Sequence, residues 1–170
     1  MLPKNFSSEI YHYGVLGMKW GVRRYQNKDG TLTAAGRKHK EAALKGLEEG
    51  RDQYRSEAQR LKGYADINEA SLKKVKDTDE ASWSTQALTD AYKYAGRQYV
   101  NNMIYADIYD AYITNYGNDT IKIGEDYVLT NLDKGIVSLT DSGRTKESAI
   151  VDRVMADSKK KYATEIRKYS

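Results

Sequence analysis

Residues 34–75 read AAGRKHKEAALKGLEEGRDQYRSEAQRLKGYADINEASLKKV, and their spacing decides the fold. Positions 44, 47, 51, 54, 58, 61, 65, 68, 72 and 75 advance by alternating steps of three and four. They are Leu44, Leu47, Arg51, Tyr54, Ala58, Leu61, Ala65, Asn68, Leu72 and Val75. All but Arg51 and Asn68 are apolar or Tyr, while the other stripes are filled with Lys, Arg, Glu and Gln. That is an amphipathic helix with a narrow seam. Thr33 stands just before it as an N-cap. Gly46, Gly50 and Gly63 each weaken such a helix by about 1 kcal/mol relative to Ala, so the helix is expected to lean on a partner surface.

Working outward, Asp77-Thr78-Asp79-Glu80 ends this helix and opens the next. Over 81–116 the stripe returns as Leu88, Tyr92, Ala95, Tyr99, Asn102, Ala106, Tyr109, Ile113 and Tyr116. Two long helices joined by a few polar residues are expected to pack antiparallel. Gly117-Asn118-Asp119 stops the second helix. The texture then changes. Thr120–Ile123, Tyr127–Thr130 and Ile136–Thr140 are short, β-branched or aromatic runs, broken by Gly124 and Asp133-Lys134-Gly135. They predict two or three strands of a small antiparallel meander. Asp141-Ser142-Gly143 reads as another turn. Lys146 to Tyr169 reads as a closing amphipathic helix, with Ile150, Val151, Val154, Tyr162, Ile166 and Tyr169 toward one side. The expected fold is mainly α (α+β): a long antiparallel helical hairpin, a small antiparallel β-meander and a C-terminal helix. Apart from the pseudo-heptads no internal repeat is read.

Composition narrows the chemistry. The 170 residues are 39% hydrophobic and 31% charged, with Pro3 as the single proline and no cysteine. Disulfides, thiolate metal sites and a cysteine nucleophile are excluded. Met1–Tyr11 has no long apolar run, so no secretory signal is expected, and no stretch approaches the roughly 20 apolar residues of a membrane helix. A reducing, intracellular setting is compatible with the absence of cysteine. The net charge of +4 is unevenly placed. Residues 1–40 carry Lys4, Lys19, Arg23, Arg24, Lys28, Arg37, Lys38 and Lys40 against Glu9 and Asp29; the other 130 residues are slightly acidic. The basic character belongs to one end, which marks a separate module there.

That end has a texture of its own. Residues 11–36 read YHYGVLGMKWGVRRYQNKDGTLTAAG, with Gly14, Gly17, Gly21, Gly30 and Gly36 among Tyr11, Tyr13, Val15, Leu16, Met18, Trp20, Val22 and Tyr25. Glycine at this density breaks helices, yet a disordered linker would not be so aromatic. Asn27-Lys28-Asp29-Gly30 is a turn. The expected division is a basic, Gly- and aromatic-rich module at 1–36 and a helical hairpin with meander and closing helix at 37–170.

No arrangement here predicts an enzyme. Gly14-x-x-Gly17-x-x-x-Gly21 has no preceding strand or βαβ unit and is not a dinucleotide fingerprint. His12 and His39, without cysteine, do not build a closed zinc site. No metal, cofactor or catalytic residue is expected. Two binding readings remain. Lys19, Arg23, Arg24 and Lys28 with Trp20, Tyr13 and Tyr25 could meet phosphates and stack on bases, making residues 19–40 a nucleic-acid binder. Aromatics with Arg are equally the usual anchors of protein interfaces, and the composition favours that. The chain also has fifteen Tyr against one Phe. Tyr92, Tyr94, Tyr99, Tyr105, Tyr109, Tyr112 and Tyr116 cannot all share one helix face, so some are core and some exposed. Residues 81–133 carry Asp90, Asp107, Asp110, Asp119, Glu125, Asp126 and Asp133 against Lys93, Arg97 and Lys122. An exposed Tyr/Asp surface there suits protein binding.

The run from Tyr11 to Asn27, then Asp29-Gly30-Thr31-Leu32-Thr33 and Gly36, resembles a module common in phage and prophage proteins of Firmicutes. There it reads as a His-Tyr-Gly-Val-Lys-Gly-Met-Lys-Trp-Gly-Val-Arg-Arg core followed by an Asp-Gly-Ser/Thr-Leu-Thr turn. Leu16 stands where Lys is common and Ala35 where Pro often occurs. The resemblance covers about residues 11–40 and carries no chemistry to transfer; the rest of the chain resembles no family. It implies phage origin and a shared docking or packaging role for Tyr13, Met18, Trp20, Arg23 and Arg24. The expected function is a non-enzymatic phage accessory or virion-associated interaction protein from the head neighbourhood. Its candidate partner-binding residues are Tyr13, Met18, Lys19, Trp20, Arg23, Arg24, Tyr25, Tyr105, Asp107, Tyr109, Asp110 and Tyr112. Two alternatives stay open: an anti-CRISPR-like inhibitor of a host defence nuclease, acting through the acidic Tyr-rich surface, and a DNA-binding protein using the basic segment. The partner is a phage structural protein or a host defence effector, and the seam containing Arg51 and Asn68 permits self-association.

Overall fold

The structure, a computed structural model, describes residues 25, 27, 29, 31–76, 82–131 and 136–170, with the backbone alone at 76, 82–83, 128–131 and 136–137. Among the described residues these elements follow in order: α1 (Ala34–Lys76), α2 (Ser82–Gly117), β1 (Tyr127–Asn131), β2 (Ile136–Leu139), α3 (Asp141–Lys161) and α4 (Ala163–Lys168). The hairpin of two long helices, the small sheet and the C-terminal helix are as the sequence pattern predicts. The chain forms two compact units. One holds the described residues up to Gly46 with Asn115–Lys146, the other Leu47–Thr114 with Glu147–Ser170.

The second unit is built on the two stripes, and none of their described positions is exposed. Its core gathers Ala65, Ala95, Val100, Ile104 and Ile108 with Tyr162 and Tyr169, flanked by Tyr92, Tyr99, Met103, Tyr112, Val151, Val154, Met155 and Ile166. The register is readable from the rings. Tyr54 of α1 stacks on Tyr105 of α2, with centroids 5.1 Å apart, and leans on Tyr109 at 5.4 Å. Tyr109 itself lies against the backbone of Gly50, where a Cβ would overlap its ring. Gly50 is therefore a seat for an aromatic side chain, which offsets its cost to helix propensity. Tyr169 occupies a like seat at Gly96 and meets the Tyr92 ring edge-on at 5.2 Å. Arg51, on the seam by sequence, turns its guanidinium to Asp52 at 2.8 Å and to Asp110 at 3.6 Å.

The first unit is organised around rings and one buried carboxylate. Tyr25 packs on His39 (4.3 Å between centroids), His39 lies 6.2 Å from Tyr127, and Tyr127 packs on Tyr116 at 4.7 Å. Burial raises the pKa of the Tyr127 hydroxyl. Asp126 is 1% exposed. It accepts hydrogen bonds from Lys146 Nζ (2.6 Å), the Ser142 hydroxyl (2.7 Å) and the Lys122 amide (2.8 Å). Burial works to raise its pKa, but these three donors outweigh it and hold the carboxyl below its ordinary value. Lys40 donates to the Gly117 carbonyl and pairs with Asp119, both at 2.8 Å, covering the C-terminal end of α2. The chain leaves α2 there, and Asp119 takes a left-handed φ of 62°.

Two expectations are corrected. Thr120–Ile123 is not a strand. The Asn118 side chain accepts from the Thr120 amide and hydroxyl, and the Ile121 amide donates to Asn115, so the segment turns. Ile121 and Ile123 are buried on either side of exposed Lys122, which mimics strand alternation, but the segment pairs only through the single bridge of Ile123 to Tyr127. The sheet is thus one antiparallel pair, with Tyr127 opposite Leu139 and a register shift between Leu129 and Asn131. Likewise Asp141-Ser142-Gly143 is the first turn of α3, capped by the Thr140 hydroxyl, which accepts from the Gly143 amide at 3.1 Å. A glycine three residues after a Thr was read as punctuation when it is the capped position itself.

Gly50→Ala is expected to lose about 1–3 kcal/mol in chemical denaturation, because the new methyl displaces the Tyr109 ring. Gly63→Ala, with open space around it, should gain about 1 kcal/mol. Equal effects would mean that propensity alone decides. For Asp126→Asn, the lost charge-assisted bonds predict a destabilisation of about 2 kcal/mol at neutral pH. Because the folded pKa of Asp126 is lowered, its stabilisation is complete above the unfolded pKa and disappears as pH falls through the folded one. The gap between wild type and variant in a melting series should therefore close on the acid side.

Candidate interaction surface

Large apolar side chains are exposed at four described positions, all in the second unit: Tyr64 (49%), Ile67 (63%), Tyr94 (60%) and Tyr105 (50%). Helix geometry turns three of them away from the C-terminal helices. Tyr94 lies two residues, about 200° of rotation, from Gly96, which touches Tyr169. Tyr105 lies the same two residues from Asp107, which binds α3. Tyr64 lies five residues, about 140°, from Glu69, which pairs with Lys168 at 3.0 Å. All three tyrosines thus point away from the C-terminal helices. Tyr54 stacks on Tyr105, and the Arg60 guanidinium sits 5.2 Å from the Tyr64 ring centroid. These exposed rings each offer apolar area and a hydroxyl to a partner.

The other expected contact residues fare differently. Tyr13, Met18, Lys19, Trp20, Arg23 and Arg24 lie outside the described residues, as does most of the 1–36 module. Tyr25 is half-buried, its ring on His39. Asp107 accepts from the Ser158 hydroxyl at 3.0 Å and from Lys161 at 2.8 and 3.0 Å. Asp110 accepts from Arg55 at 2.6 Å, with Arg51 beyond it. The two carboxylates therefore face α3 and α1 respectively, each with a basic partner, and do not join Tyr105 in one acidic patch. Tyr109 and Tyr112 are half-buried, and burial raises the pKa of both hydroxyls. Beside them Glu147, half-buried at the start of α3, is raised by burial. Of the helical candidates, Tyr105 alone is broadly exposed.

Tyr64, Ile67 and Tyr94 were not among the sequence candidates. The signal was there: each, like Tyr105, is a large apolar residue lying off its helix's stripe. Among the described residues no group of three or more His, Asp or Glu is gathered as metal ligands. None of the described helices is long and apolar enough to cross a membrane.

Comparison with known proteins adds one finding. Residues 3–27 match a family of unknown function, DUF7211. The match overlaps the glycine- and aromatic-rich segment and leaves the helical body untouched. No curated protein and no solved structure matches the chain.

Glu147→Gln is expected to stabilise the fold at neutral pH. The folded pKa is raised, so ionisation is costlier in the folded chain, and stability falls as pH rises through the carboxylate range. The variant should flatten that fall in melting curves taken from pH 4 to 8, an effect opposite in sign to that of Asp126.

Proposed function

We propose that this chain is a non-enzymatic phage accessory or virion-associated protein that acts by docking on another protein. The observation that carries this reading is the exposure of Tyr64, Tyr94 and Tyr105 on the helical body. Each ring stands off its helix stripe and leaves about half or more of its surface exposed, which burial does not account for. Exposed tyrosines provide large contact area at low entropic cost and anchor protein interfaces well. The likeness of residues 11–40 to a phage module supports the phage setting, with Tyr13, Met18, Lys19, Trp20, Arg23, Arg24 and Tyr25 as a second contact region. The working place proposed is the host cytoplasm or the virion interior.

Inhibition of a host defence nuclease draws less support from the geometry. That reading needs free carboxylates, and Asp107 and Asp110 are neutralised within the chain. DNA binding through residues 19–40 is also weakened at its described end, where Arg37 donates to the Leu32 carbonyl and Lys40 to that of Gly117.

The reading is tested by mass spectrometry of purified particles and by crosslinking capture with a photoreactive residue at position 94. Tyr64→Ala and Tyr94→Ala should each change stability by about 0.5 kcal/mol or less, as exposed positions do, and Tyr105→Ala, which loses the Tyr54 stack, by about 1 kcal/mol. Combined, they should weaken partner binding at least about tenfold, or about 1.4 kcal/mol. Full binding by the triple variant would remove the exposed tyrosines from the reading.

A further inference from the structure

We infer that Leu32–Arg37 and Leu139–Arg144 are two copies of one structural device, a helix start that clamps the backbone carbonyl of a residue earlier in the chain. The sequences Leu-Thr-Ala-Ala-Gly-Arg and Leu-Thr-Asp-Ser-Gly-Arg share four of six residues, and each shared residue does the same job in both places. The threonine amide takes the incoming carbonyl: Thr33 N–H donates to Tyr25 O and Thr140 N–H to Asp126 O, both at 2.9 Å. The threonine hydroxyl caps the helix, accepting from Gly36 N–H at 3.0 Å and from Gly143 N–H at 3.1 Å. The arginine folds back on the leucine carbonyl, Arg37 at 2.8 Å and Arg144 at 2.9 Å. The glycine leaves room for the clamped group. A Cβ at Gly36 would overlap the Tyr25 carbonyl, and one at Gly143 would overlap that of Asp126. Any side chain there would push out the carbonyl that the threonine holds.

The correspondence extends past the shared residues. Six positions after each threonine stands a side chain that meets the side chain of the clamped residue. His39 packs its ring on Tyr25, and Lys146 pairs with Asp126 at 2.6 Å. An aromatic pair in one copy is replaced by an ion pair in the other, on the same geometry. The second copy adds two contacts of its own, Ser142 to Asp126 and Asp141 to Arg144. Both copies belong to the same compact unit. The loop that returns the chain to the clamp is longer in the second copy by six residues, which hides the repeat from a fixed-period search.

This inference does not rest on the docking role proposed above, and its test reads folding alone. Gly36→Ala and Gly143→Ala should each lower Tm, while Gly63→Ala raises it. In hydrogen exchange each variant should lose protection at its own threonine amide, Thr33 or Thr140, and keep it at the other. The paired change Asp141→Ala with Ser142→Ala, which writes the first copy's sequence into the second, should still fold with Thr140 protected. If alanine at a glycine prevents folding, Arg37→Ala and Arg144→Ala carry the test; each should cost a few degrees of Tm and loosen only its own threonine. Wild-type stability with protection intact in the glycine or arginine variants, or loss of Thr140 protection in the paired change, would overturn the inference.

Discussion

A tyrosine ring lying on a glycine backbone is the contact on which the helical body depends. Gly50 receives Tyr109 and Gly96 receives Tyr169. In each case a large ring fills the volume that a missing side chain leaves open. Such a seat exists at one height on the helix, so it fixes how far one helix can slide along another, a role that a row of leucines fills less strictly. The stacked Tyr54–Tyr105 pair lies one turn away from the first seat and shares its register. The core can then be finished with small residues, Ala58, Ala65 and Ala95, which let the backbones approach.

The fold was largely legible in the sequence, and the reason is periodicity. A stripe at steps of three and four is maintained over both long helices, and it forecast which positions are covered. The same stripe, read in the negative, marks the exposed aromatics. Tyr64, Tyr94 and Tyr105 are off it and are half exposed or more. What was not legible is chemistry that needs a partner far along the chain. Asp107 and Asp110 look like one acidic patch in sequence, but one is bound by Lys161 and the other by Arg55. Nothing in local spacing announces a partner fifty residues away.

Glycine shows the same divide. Gly46, Gly50 and Gly63 are equivalent to a propensity argument, yet Gly50 seats a ring and Gly63 faces open space. Gly143 reads as a turn residue and Gly36 as one of the helix-breaking glycines of the basic module, but both are the capped third residue of a helix. Each glycine's meaning comes from the atom opposite it, which a one-dimensional reading does not contain. Thr33 was recognised because capping is local; Thr140 was missed because Asp-Ser-Gly also matches a turn and the competing signal came first.

The grip of Lys40 on Gly117 and Asp119 spans 77 and 79 positions. His39 meets Tyr127 across a similar interval. Closing so long a loop is slow compared with winding a helix. As the polypeptide emerges from the ribosome, the opening turns of α1 must wait for about eighty further residues before their neighbours exist, whereas Gly50 and Tyr54 meet Tyr109 and Tyr105 across fewer than sixty. Assembly is thereby ordered in time: the first part of this unit to be translated is among the last to be consolidated.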